Sequence, residues 1–351
     1  MHRYAIWGTA TSAGHEAWVR SVGAEFERDE FERVDDVADA DFVLNMFDPE
    51  NPKAFRRQSR GTYSASFYEL ADPPEDVLKT SYPMLVRTLA NVVVLHVPGH
   101  GVWFTTMERG TYKITDDPAD VFERLAPLAK SKLVIDNEFV ADLEPELWDG
   151  DELTADLSAA GKRMQELDLL PAPFPVHEFL DERDLRHVMR LYQVGGLSYG
   201  NLSVRKDATR FWMSASGVDK SQLEIPGRDM LLVTGYDEPN AKMLISVPPG
   251  IEPRRVSVDA IEHWMIYQAH PGVGAILHVH AWMQEIAATD INYPCGTQEL
   301  AESVAALIDR EPDPAHAVIG LRNHGITATG DSLAEILDRI ESSILRQVPM
   351  T

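Results

Sequence analysis

The stretch AILHVHA, residues 275–281, places two histidines two positions apart within an apolar run. In a β-strand alternate side chains share a face, so His278 and His280 point to one side while Leu277 and Val279 fill the other. Two neutral imidazoles on one face are a common pair of ligands for zinc and similar divalent ions. The structural alternative is a pair of half-buried histidines that hydrogen-bond to backbone carbonyls.

A third histidine with suitable placement occurs in GLRNHGITATG, residues 320–330. His324 stands there at the end of an apolar strand and directly before a glycine turn, where a strand can present a ligand at the sheet edge. Three histidines with one open position are typical of a catalytic metal site. We therefore expect His278, His280 and His324 to bind one divalent ion per subunit, Zn²⁺ in the first place, with Mn²⁺, Fe²⁺ or Co²⁺ as alternatives.

The bulk composition limits the class of protein. With 351 residues, 44% of them hydrophobic and 25% charged, the chain is long enough for two globular domains. Its formal net charge of −24 argues against a nucleic-acid or anionic-membrane partner, because both require a basic surface. We find neither a secretory signal nor a membrane-spanning run, and the single cysteine, Cys295, cannot form an intramolecular disulfide, so a cytoplasmic protein is expected. The sequence around Cys295 is typical of a turn.

The order of apolar and amphipathic segments predicts two domains. Residues 1–145 alternate strand and helix patterns, which is typical of an α/β domain with a substantially parallel sheet, and nothing in them assigns a role. Residues 146–175 read as a helical linker that ends in the proline-rich LPAPFP. Residues 176–351 then carry both histidine motifs in a second α/β domain.

Five motifs of the second domain give a family resemblance. GNLS, SASG, SVD, HVH and NHG follow one another between residues 175 and 350, and in this order they resemble the class II aldolase/adducin family. The resemblance implies an α/β/α domain with a central, mostly antiparallel sheet, assembled as a homotetramer. It also implies a metal-dependent lyase of the aldolase type, which forms or cleaves a carbon–carbon bond next to a carbonyl, through an enediolate, in a small sugar-like or keto-acid substrate.

Other functions of the same fold stay open at this stage. An epimerase, a dehydratase or a decarboxylase could use the same metal site and the same enediolate. Adducin-like relatives are interaction proteins that lack the metal site, and the three histidines argue against that role here.

The resemblance also assigns substrate-binding positions. The phosphate-binding positions of the family fall on Ser198 and Asn201, on Ser216 and Gly217, and on Ser257. Turn residues, or a helix N-cap in the case of Ser257, are the structural alternatives. Relatives commonly carry a second serine where this chain has Val258, so we expect phosphate to bind weakly.

Candidate proton-transfer residues come from the same comparison. The acid/base position of the family falls on Asp259, with Glu262 one helical turn beyond it as the alternative. Asp259 could also be a neighbour of the metal. Tyr293 is a third candidate, as proton donor to a leaving oxygen, and a structural role next to proline competes with it. Lys220 could contact a substrate anion, but a solvated side chain is the favoured interpretation, and His263 could equally serve packing or hydrogen bonding.

Overall fold

The computed structural model describes residues 2–55, 62–107, 110–171, 174–191 and 199–351, without the side chains of 189–191. Contacts divide the chain into two compact units. The first consists of Met1–Lys130, Phe174–Val188 and Met350–Thr351, and the second of Ser131–Pro173 and Met189–Pro349.

The first unit is built on a mainly parallel sheet. Its strands are β1 (Arg3–Gly8), β2 (Glu32–Arg33), β3 (Phe42–Met46), β4 (Tyr63–Glu69), β5 (Val92–Val97), β6 (Gly101–Thr106) and β7 (Gly110–Ile114). They lie in the order β2-β1-β3-β4-β5-β6-β7, parallel up to β5 and antiparallel from there. All residues of the apolar run VVVLHV in β5 are buried, as expected of a strand covered on both faces. The parallel α/β sheet expected from the sequence is confirmed.

Helices of the described residues follow the predicted amphipathic segments in most cases. They are α1 (Ala13–Arg28), α2 (Val77–Thr88), α3 (Pro118–Lys130), α4 (Glu152–Glu166), α5 (Val176–Phe179), α6 (Glu182–Leu191), α7 (Ala260–Ala269), α8 (Gln298–Ile308) and α9 (Leu333–Ile340). Ser12 caps α1, because its side chain accepts the backbone N–H of His15. In the part of the chain that the structure describes, none of these helices is long and apolar enough to cross a membrane.

The second unit is built on a mostly antiparallel sheet, as expected. Its strands are β8 (Asp136–Val140), β9 (Asn201–Arg205), β10 (Phe211–Ser214), β11 (Met230–Asp237), β12 (Lys242–Ser246), β13 (Ala275–Val279), β14 (Ala287–Ala288), β15 (Val318–Leu321) and β16 (Gly325–Gly330). They lie in the order β14-β15-β16-β13-β9-β10-β11-β12-β8. Among the described strands of this second sheet, only the pairs β12–β8 and β14–β15 are parallel. The histidine strand β13 is therefore central, between β16 and β9.

The division by contacts differs from the domain boundaries expected at residues 145 and 175. The sequence assigns β8 to the first domain, whereas the structure pairs it with β12 at the edge of the second sheet. In turn, residues 174–188 belong to the first unit, where Arg87 Nε donates to Asp184 Oδ2 over 2.7 Å. A strand pattern does not reveal which sheet the strand joins, so the assignment of residues 1–145 and 176–351 as separate domains stays a prediction.

Candidate metal centre

His278 lies in the middle of the second sheet. Its side chain is 1% exposed, and its Nδ1 is 3.0 Å from the carbonyl oxygen of Ile326. Because a carbonyl oxygen can only accept, Nδ1 carries the proton, and the lone pair is left on Nε2. Such a backbone acceptor fixes the tautomer and the ring orientation of a histidine ligand.

His324 occupies the tight turn between β15 and β16. Asn323 adopts a φ of 57° there, a left-handed conformation that asparagine tolerates. A Cβ atom on the following Gly325 would lie 2.2 Å from the carbonyl oxygen of Val279, so only glycine fits. This close approach holds the turn against the end of β13, next to His280.

The three histidines converge on one point. The Nε2 atoms of His280 and His324 are 3.1 Å apart. The ring centroid of His278 lies 5.2 Å from that of His280 and 4.7 Å from that of His324. One potential ligand atom from each residue lies within 4.8 Å of the others. The structure thus brings the neighbouring pair His278 and His280 together with His324, which lies 44 positions beyond His280 in the chain.

The donor set fits a divalent ion. Two imidazole nitrogens bound to zinc at about 2.0–2.1 Å in tetrahedral geometry are roughly 3.4 Å apart, close to the 3.1 Å between His280 Nε2 and His324 Nε2. Neutral imidazoles leave the charge of the ion undiminished, which suits a Lewis acid. Among the described residues, no second group of three or more histidine, cysteine or acidic side chains meets the same geometric condition.

Two carboxylates lie beside His278, one on each side of β13. Asn201 of β9 and Thr327 of β16 are the direct register partners of His278. Asn201 Nδ2 donates to Asp259 Oδ2 over 2.7 Å, and Thr327 Oγ1 donates to Glu262 Oε1 over 2.5 Å. Both acids are buried. The strands that flank the histidine therefore also anchor the two acids at the start of α7.

Burial and charge keep Glu262 protonated. Loss of hydration and, second to it, the charge of Asp259 raise the pKa of Glu262 to about 8 against the opposing effect of the hydrogen bond from Thr327. At neutral pH Glu262 is consequently a neutral carboxylic acid. Its Oε2 has no hydrogen-bond partner in the portion of the chain that the structure describes.

Lys220 is buried near these acids, so the expectation of a solvated side chain is wrong. Only 4% of the residue is exposed. A Cβ on Gly161 of α4 would lie 1.8 Å from the carbonyl oxygen of Lys220, so this glycine lets the turn Lys220–Gln222 pack closely on α4. Burial lowers the pKa of Lys220 to about 8, although the charges of Asp219 and Asp259 raise it. A lysine in a turn carries no pattern that would reveal this burial.

The residues assigned to phosphate binding have different surroundings in the structure. Ser198 lies outside the described residues. The side-chain amide of Asn201 donates its hydrogen bond to Asp259. Gly217 has a φ of 69°, and Ser216 N donates to the carbonyl oxygen of Arg255 over 2.8 Å.

Ser257 is buried, and its backbone N–H donates to the carbonyl oxygen of Ser214. Ser257 does not cap the helix, because Asp259 occupies the N-cap position of α7. The substrate-binding roles of these residues stay predictions.

His263 makes a hydrogen bond, and Tyr293 makes packing contacts, within the second unit. His263 Nδ1 is 2.7 Å from Ser203 Oγ, and burial together with the nearby His278 holds the pKa of His263 well below its usual range. Tyr293 is half-buried and packs against the apolar core of the second unit. The proton-donating role of Tyr293 stays a prediction.

The sequence gives no sign of the position of Cys295. Its Sγ lies 3.3 Å from Nε2 and 3.5 Å from Nδ1 of His324. Twenty-nine positions separate the two residues. A cysteine in a turn offers no local signal for such proximity.

Comparison with known proteins gives a family match in the second half of the chain. Residues 185–343 match the family model of the class II aldolase and adducin N-terminal domain. No curated protein matches the chain.

Several solved structures are similar to part of the chain. YgbL from Klebsiella pneumoniae, a candidate aldolase, epimerase or decarboxylase, is 18% identical over 54% of this chain and 84% of its own, with a TM-score of 0.36. L-fuculose 1-phosphate aldolase is 19% identical over 55% of this chain and 83% of its own, with a TM-score of 0.37. The N-terminal class II aldolase domain of a conserved protein from Thermoplasma acidophilum is 15% identical over 54% and 88%, with a TM-score of 0.35.

Proposed function

We propose that the class II aldolase domain at residues 185–343 is a metal-dependent lyase of the aldolase type. It would cleave or form a carbon–carbon bond next to a carbonyl, through an enediolate, in a small sugar-like or keto-acid substrate. The observation that carries the proposal is the convergence of His278, His280 and His324 beside two buried carboxylates. An adducin-like interaction domain has no need of either feature.

The residues divide the work as follows. His278, His280 and His324 would hold the ion. When bound, a divalent ion supplies Lewis-acid stabilisation of the negative charge that develops on the carbonyl oxygen as the bond breaks. Asp259 would accept the proton of the substrate hydroxyl during cleavage and deliver it to the enediolate carbon, the proton transfer that deuterium exchange follows in reverse, since its carboxylate is fixed by Asn201. Glu262, which keeps its own proton at neutral pH, does not compete with Asp259 as a base.

Lys220 would balance the charge of this pocket. Its ammonium group acts electrostatically on Asp259 within a buried environment. A cation at this place can stabilise an ionised Asp259 or an anionic substrate oxygen, and burial strengthens either interaction. Val258 supplies no hydroxyl, so we propose that recognition of a phosphate group is weak.

Isotope exchange tests the proposed chemistry without knowledge of the full substrate. The zinc-loaded protein should exchange hydrogen for deuterium at the carbon next to the carbonyl of dihydroxyacetone in D₂O, as measured by NMR. Exchange should stop when the ion is chelated and return when zinc is restored. A zinc-loaded protein that exchanges no faster than the metal-free protein, and binds no glycolohydroxamate, would favour the interaction role.

Further properties belong to the same proposal. We propose zinc as the resident ion from the three-histidine donor set, a homotetramer as the assembly from the family resemblance, and the cytoplasm as the location from the sequence. Light scattering measures the assembly, and elemental analysis of the purified protein measures the ion.

Exchange activity is expected to fall as the pH rises through about 8. Glu262 and Lys220 both have a pKa of about 8, so both hold their protons below this pH and lose them above it. Loss of the proton adds a second negative charge at Glu262 and removes the positive charge of Lys220. The pH profile of deuterium exchange measures this decline, and circular dichroism controls for unfolding. An activity that stays constant across pH 8 contradicts both assignments.

Zinc is expected to stabilise the second unit against heat. A ligand that binds only the folded state contributes about 2.7 kcal/mol at a free concentration of about 100 Kd, and each kcal/mol raises the unfolding temperature by about 2–4 °C in a domain of this size. Calorimetry with zinc and with a chelator measures the difference. The same shift in a His280→Ala variant would mean that the ion binds elsewhere.

A further inference from the structure

Cys295 lies next to the candidate metal centre. Its Sγ is 3.3 Å from His324 Nε2, and the same nitrogen is 3.1 Å from His280 Nε2. The sulfur therefore lies beside His324, one of the residues that would hold the ion. Cysteine sulfur is a preferred zinc ligand, with a bond length of about 2.3 Å.

The backbone around Cys295 is held in place on both sides. Gly296 has a φ of 73°, and a Cβ there would lie 2.8 Å from Ile135 Cγ2 and 3.0 Å from the carbonyl oxygen of Val258. The Gly296 carbonyl accepts the N–H of Val134 over 2.7 Å. Thr297 caps α8 and also donates its hydroxyl to the carbonyl of Pro294 over 2.7 Å. These contacts fix the position of the thiol next to the histidines.

The distances agree with a common coordination sphere. A nitrogen at about 2.05 Å and a sulfur at about 2.3 Å from a tetrahedral ion are roughly 3.6 Å apart. The observed 3.3 Å between Sγ and His324 Nε2 is close to this separation, and Sγ also lies 3.5 Å from Nδ1 of the same ring, so the thiol and the imidazole have to reorient before both face one ion.

We propose that Cys295 is the fourth protein ligand of the ion held by His278, His280 and His324 when no substrate is bound. Formation of the sulfur–metal bond releases the thiol proton to solvent and lowers the charge of the site by one. Four protein ligands make a closed site, and catalysis requires an open position. This inference rests on the proposed function, and it follows that a chelating substrate displaces the sulfur from the ion.

Cobalt substitution tests the proposal by a spectroscopic signal that does not depend on activity. Thiolate coordination to Co²⁺ gives a charge-transfer band in the near ultraviolet, and Cys295 is the only cysteine in the 351-residue chain, so the band has one possible source. The cobalt protein should show this band together with visible d–d bands. Cys295→Ser should lose the charge-transfer band, keep the d–d bands, and bind zinc at least about tenfold more weakly, the lower limit for the loss of a supporting residue.

Two further measurements separate the possible failures. Glycolohydroxamate should remove the charge-transfer band of the wild-type protein, and zinc should slow alkylation of Cys295 by iodoacetamide. Cobalt d–d bands without a charge-transfer band, or alkylation unaffected by zinc, would overturn the role of Cys295 and leave the lyase proposal intact. Persistence of the band with bound hydroxamate would overturn displacement. Absence of any cobalt binding would overturn both proposals.

Discussion

Replacement of His280 by alanine is expected to abolish stoichiometric binding of the divalent ion and, with it, deuterium exchange. His280 Nε2 lies 3.1 Å from His324 Nε2, so its loss removes one of the paired nitrogens at the centre of the cluster. Two histidines and the half-buried thiol of Cys295 remain, an incomplete set from which we expect the ion to be lost on dialysis. His280 is also only partly buried, so the variant should fold.

Elemental analysis after dialysis measures the ion in this variant, and circular dichroism measures the fold. His316→Ala is the matched control, since His316 lies in the same unit but pairs with Asp313 at 2.9 Å, away from the cluster. The control should keep about one ion per chain. Full occupancy in His280→Ala would remove the basis of the proposed metal centre.

Replacement of Asp259 by asparagine is expected to leave the ion bound and to slow exchange by about a hundredfold or more, the usual scale for a general acid or base. Asparagine has nearly the shape of aspartate but cannot accept a proton at neutral pH. Its side-chain oxygen can still accept the hydrogen bond from Asn201. The variant therefore separates proton transfer from the packing of α7.

Glu262→Gln is the matched comparison for Asp259→Asn. Because Glu262 is neutral at pH 7, glutamine closely copies its charge and can still accept the hydrogen bond from Thr327. We expect a loss below about tenfold, less than an acid/base residue contributes. If Glu262→Gln is the inactive variant, the roles of the two acids must be exchanged. If Asp259→Asn instead loses the ion, Asp259 is a ligand.

Local patterns predicted many of the elements and missed others for physical reasons. The runs of β3, β5 and β13 are predominantly apolar, and each forms a buried strand. By contrast, β16 reads GITATG, with a glycine at each end and small residues between, and the sequence does not predict it. It exists because it pairs with β13 and β15.

Helix boundaries show the same limit. The amphipathic pattern extends the last helix to Gln347, whereas α9 ends at Ile340. Beyond that residue the backbone leaves the helix, and Leu345 pairs with Trp282 in an isolated bridge. Propensity alone cannot anticipate a competing contact that is distant in the chain.

The sequence by itself determined the local chemistry of this protein: the two-residue alternation of His278 and His280, the glycine turn after His324, and an acidic surface unsuited to nucleic acid. These are properties of short segments, set by backbone geometry and composition. Only the tertiary structure decided that Asn201 and Thr327 flank His278 and hold the two acids, that Lys220 is buried, and that Cys295 meets His324. Strand register and burial arise from contacts between distant segments, and the pKa values of Glu262 and Lys220 follow from that burial.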